Sequence, residues 1–66
     1  MNIDIQGAVT FRAALAIKVW TAKIGAGVDG VWFPGAQIVI SGLAPDALGP
    51  ATITLPKMLA LERGLI

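Results

Sequence analysis

The acids of this chain are Asp4, Asp29, Asp46 and Glu62, its bases are Arg12, Lys18, Lys23, Lys57 and Arg63, and its one serine is Ser41. Histidine and cysteine do not occur. Catalysis by side chains needs a nucleophile with a base beside it, a pair of acids, or a held metal. The four acids are scattered with no paired spacing, and each reads more simply as a turn residue or a solvated charge. Ser41 stands in "ISGLAPD", outside the strand–turn–helix setting of a nucleophile elbow, and no histidine is there to activate it. A serine–lysine dyad with Lys18, Lys23 or Lys57 is the remaining formal alternative. Without His or Cys, carboxylates alone suit only hard cations. The residues predict a protein that binds rather than catalyses, with no metal and no cofactor.

The groups that suit binding are the aromatics Phe11, Trp20, Trp32 and Phe33. Adjacent strand residues point to opposite faces, so Trp32 and Phe33 cannot both enter one core. The plain expectation is that Phe11 and Phe33 fill the interior. Trp20 shares its parity with Arg12 and Lys18, and arginine beside an aromatic is the composition of an interface hot spot. The predicted binding surface is therefore Arg12, Lys18 and Trp20, with Trp32 and Phe33 at the Pro34 bend. The same composition serves as a stacking platform for single-stranded nucleic acid, but a net charge of +1 with no basic block gives little pull toward phosphates.

These side chains need a frame. "NIDIQ" alternates Ile3 and Ile5 with polar neighbours, the period of a half-buried strand, and Gly7 reads as a bend or bulge. "VTFRAALAIKVW" places Val9, Phe11, Ala13, Leu15, Ile17 and Val19 on one parity, and is read as a strand with a break near Ala13. "KIGAGVDG" lacks the further glycine and lysine of a phosphate loop. It reads as a connection between antiparallel strands, ending in the turn dipeptide Asp29-Gly30. "VWFPGAQIVI" is a strand interrupted at Pro34-Gly35, which assigns it to a sheet edge or a bulge. "SGLAPDALGP" is a loop and "ATITL" another alternating strand. In "LPKMLALERGLI", Pro56 suits the first helical position. Met58, Leu59, Leu61 and Leu65 recur at helical spacing, and Gly64 closes the helix in a left-handed cap. Those four apolar residues are expected to dock on the sheet or on another subunit. The fold class is α+β, mainly β: one domain over residues 1–66, a small antiparallel sheet or half-barrel with one short C-terminal helix.

A chain of 66 residues buries a modest core. Yet 56% of the residues are apolar and only 14% charged, which predicts a homo-oligomer or an obligate complex. The longest uncharged run, between Asp29 and Asp46, is broken by glycines and prolines and is too short to span a membrane as a helix. "MNIDIQG" lacks the pattern of a signal peptide. A protein of the cytoplasm is expected, without a membrane partner.

Two stretches carry a resemblance. "VWFPGAQIVI" resembles a "WIPKSQ"-like strand, and "ITLPKMLALERGLI" resembles an "I-x-x-P-E-W-L-A-x-E-K-G-L"-like ending, both found in small proteins of tailed bacteriophages and prophages. The likeness runs from "RAALAIKVW" onward. Gly35 and Ala36 replace a common lysine and serine, and Lys57-Met58 a common glutamate and tryptophan, so this copy is more apolar than the pattern. The resemblance implies a phage origin and a small β-rich fold closed by a helix. On that basis the expected function is occupation of a host or phage macromolecule in host takeover, counter-defence or regulation. The alternatives are a virion cement or minor capsid protein, an oligomeric sponge for a nucleotide signal, and a single-stranded nucleic-acid accessory protein. The location that follows is the host cytoplasm, or the virion for a structural role.

Overall fold

A computed structural model describes residues 1–24 and 29–66. Five strands form one antiparallel sheet: β1 Asn2–Arg12, β2 Ala16–Trp20, β3 Val31–Pro34, β4 Val39–Ser41 and β5 Gly49–Pro56, in the order β3-β2-β1-β5-β4. A single turn of 3-10 helix, Gly35–Gln37, joins β3 to β4, and the helix α1, Lys57–Glu62, follows β5. The expected α+β, mainly β class is the one observed.

The sheet cannot be flat. β1 holds 11 residues and is shared between two partner strands. Its residues 2–9 pair with β5, whereas residues 8–12 pair with β2. The two sets overlap only at Ala8 and Val9, so β1 serves two half-sheets and turns between them. The devices of the turn are local. A bulge displaces the register between Val9 and Phe11, which bends a strand and adds twist. At Gly7 a Cβ would stand 2.6 Å from the Trp20 carbonyl oxygen, so only glycine lets β2 close in there. The edges give the same result: β3 and β4 lie four strand spacings apart, about 19 Å in a flat sheet. Residues 35–38 reach at most about 17 Å. The sheet rolls into a half-barrel that brings the two edges toward one another.

The interior of the roll is apolar. Ala51, Ile53 and Leu55 of β5 face inward in alternation with Thr52 and Thr54. Val9, Val19, Phe33 and Ile38 complete the wall, and Leu59, Ala60 and Leu65 close one end. Ile3 and Ile5 pack against this core as their alternation predicts, and Asn2, Asp4 and Gln6 face out. The helix ends as its sequence indicates. Gly64 adopts φ 73°, its N–H donates to the Leu61 carbonyl, and the Leu65 N–H donates to the Ala60 carbonyl. This pair of bonds is a Schellman closure, and it folds Leu65 into the core.

Four expectations are corrected. The "VTFRAALAIKVW" segment is a hairpin rather than one strand, because β1 ends at Arg12 and β2 begins at Ala16. Gly7 is a close-approach residue inside β1, and the bulge sits three residues further on. Pro56 is extended (ψ 137°) and precedes the helix instead of opening it. Of the proposed interface residues on the helix, Leu59 and Leu65 belong to this chain's own core, and only Met58 and Leu61 face outward. The β2–β3 connection does join antiparallel neighbours; the part of "KIGAGVDG" at residues 25–28 lies outside the described residues.

Candidate functional site

The bulge decides which aromatics reach the surface. Without it, Phe11 would share the inward parity of Val9. The extra residue, Thr10, shifts Phe11 opposite Lys18, and Lys18 is in turn opposite Trp32. Three strands thus carry Phe11, Lys18 and Trp32 side by side on the outer face of the roll. The Phe11 and Trp32 rings meet edge to face, 5.8 Å between centroids at 75°. The Lys18 Nζ lies 5.5 Å from the Trp32 centroid, within range of a cation–π contact. Phe11 remains 55% exposed and Trp32 41%. Trp20, two residues beyond Lys18 on β2, faces the same way and is partly covered.

The predicted surface is thereby redrawn. Lys18, Trp20 and Trp32 lie on the outer face as expected. Phe33 does not: opposite Ile17 on the inward side, it is 1% exposed and belongs to the core, with the Arg63 guanidinium 5.7 Å from its ring. Arg12 also leaves the set. The bulge pairs it with Ile17, on the inward side, where its Nε donates to the Ala47 carbonyl at 3.0 Å and ties down the loop before β5. Phe11, expected in the core, takes a place in the row. The signal that locates it is the long-range register of β1 on β2, which no local pattern carries.

The other half of the outer face differs in kind. There Asp4 accepts a hydrogen bond from the Thr54 hydroxyl at 2.6 Å, and the Gln6 amide donates to the Thr52 hydroxyl at 3.0 Å. These polar side chains satisfy one another across β1 and β5. Among the described residues no cluster of His, Cys, Asp and Glu is arranged to hold a metal, and no helix is long and apolar enough to cross a membrane. A second exposed apolar set lies at α1. Met58 and Leu61, one helical turn apart, are uncovered, as are Ile66 and Met1, whose carbonyl accepts from the Lys57 N–H. The arrangement at the aromatic row offers two large apolar surfaces and one cation, a combination suited to gripping a side chain or an exposed segment.

Comparison of the chain with protein-family models, with curated proteins and with solved structures finds no match in any of the three.

Proposed function

We propose that this protein is a non-enzymatic binding module, of phage or prophage origin, that occupies a macromolecule of the host or the phage through its outer aromatic row. The observation that carries the reading is the exposure of Phe11 and Trp32 around Lys18. Holding two aromatic rings in water costs apolar burial that the core would otherwise gain, and a contact surface gives that cost a purpose. The resemblance of the strand and the terminal segment to phage proteins supports a role in host takeover, counter-defence or regulation, within the host cytoplasm. Subunit association falls on the second set, Met58, Leu61 and Ile66, so that the row stays free in an oligomer.

The test is a pair of variants, Phe11→Ala and Trp32→Ala, used as tagged proteins to recover partners from infected cells. Both fold, and both lose the partner that the wild type retains. Retention by both variants contradicts the reading. Recovery of the chain in many copies from purified virions, in place of a soluble partner, would favour a capsid role instead.

A further inference from the structure

The aromatic row ends at a sheet edge, where β3 has no strand partner on its outer side among the described residues. The Gly35 N–H donates to the Leu15 carbonyl at 3.0 Å, which fixes the phase of the β2–β3 ladder. The hydrogen-bonded pairs are Phe33 with Ile17 and Val31 with Val19. Trp32 and Pro34 alternate with them, so the N–H and C=O of Trp32 turn away from β2 toward the free edge. Pro34, which has no N–H to offer, sits in the same phase, the position where a strand tolerates proline. β3 itself carries no charged residue, although charge on the strand is a usual defence of edges.

We infer that β3 accepts an extended segment of a partner protein as an added strand, and that Lys18 selects a segment with an acidic side chain beside a large apolar one. The inference rests on the proposed use of the row as a binding surface, and names what binds there. A residue placed opposite Trp32 in the added strand stands about 5.5 Å from it, in line with Phe11 and Lys18. The Lys18 ammonium stands 5.5 Å from the Trp32 ring centroid, one strand in from β3. Among the described residues it lies against the ring rather than against a carboxylate, so an incoming acid finds it unneutralised. The neighbouring apolar side chain then packs on the exposed Trp32 and Phe11 rings.

A second copy of this chain fits the description less well. Its only acid within a described strand is Asp4, whose carboxylate already accepts from the Thr54 hydroxyl across the β1–β5 ladder, and its edge strands β3 and β4 carry no acid. Single-stranded nucleic acid fits less well, because the row supplies one cation and the edge supplies backbone groups that another backbone answers.

The test uses a random peptide library displayed against the wild-type protein, with labelled oligothymidylate as a parallel probe. Selected peptides carry Asp or Glu next to a large apolar residue, and they lose affinity for Trp32→Ala. Lys18→Glu weakens them about tenfold or more and shifts a fresh selection toward Lys and Arg, as reversal of a charge at a contact predicts. N-methylation of alternate peptide amides abolishes binding, whereas methylation of the intervening amides does not. Peptides that need Trp32 but show no acidic preference, or bind Lys18→Glu equally, overturn the inference and leave the binding surface standing. Peptides indifferent to Trp32→Ala overturn both. Failure to select any peptide, or binding of oligothymidylate alone, also overturns the inference.

Discussion

Side by side in sequence, Trp32 and Phe33 have opposite tasks, and single substitutions separate them. Phe33 is enclosed among β-strand residues and α1, so Phe33→Ala leaves a large void costing about 3–5 kcal/mol, comparable with the whole stability expected of so small a domain. Circular dichroism of that variant should show an unfolded chain at room temperature. Trp32→Ala should remain folded by the same measurement while losing its partner. Thr21 offers a second test. Its hydroxyl is buried just after β2 with no hydrogen-bond partner among the described residues, and an unsatisfied buried group costs about 1–3 kcal/mol. Thr21→Val, which keeps the shape and removes the oxygen, is expected to raise the melting temperature. A lowered melting temperature would contradict the reading of that hydroxyl as unsatisfied.

At the scale of elements, the strands with simple alternation were legible because one face meets the core and the other meets water. This holds for Ile3 and Ile5, and for Ala51, Ile53 and Leu55. The proline at the break pointed to an edge strand or a bulge, and β3 is an edge strand; the segment is nevertheless two strands, β3 and β4, at opposite edges of the sheet, and not one interrupted strand. The helix closure at Gly64 was legible because a left-handed residue must be small. The hairpin between β1 and β2 was not, because its turn, Ala13, Ala14 and Leu15, contains no glycine, proline, asparagine or aspartate. The bulge at Thr10 was hidden for a related reason: it exists only relative to a partner strand. Those two hidden features misplaced Arg12 and Phe11, so the binding face was half legible. Two glycines test the elements directly. Gly7→Ala puts a Cβ against the Trp20 carbonyl, and forcing β1 and β2 apart should cost about 1–3 kcal/mol. Gly64→Ala should cost about 1–2 kcal/mol through its left-handed backbone. Thermal melts of the two variants measure both.

At the scale of the whole molecule, the apolar surplus of the composition divides into two parts. The half-barrel fills its interior from its own chain, with Phe33, Ile53, Leu55, Val9 and Val19 fully enclosed. The remainder is outside, at the aromatic row, at the exposed side of α1 and singly at Leu15, Val39 and Leu48, while only nine side chains are charged (five basic and four acidic). A net charge of +1 does little to keep copies apart. If the proposed association runs through Met58 and Leu61, Met58→Lys with Leu61→Lys should yield single chains without unfolding them, since neither residue lies in the core. The most direct measurement is the molar mass of the wild-type protein by sedimentation equilibrium at micromolar concentration. The account predicts a defined multiple of 6.8 kDa. A stable species at the mass of one chain, unchanged on concentrating, would contradict it.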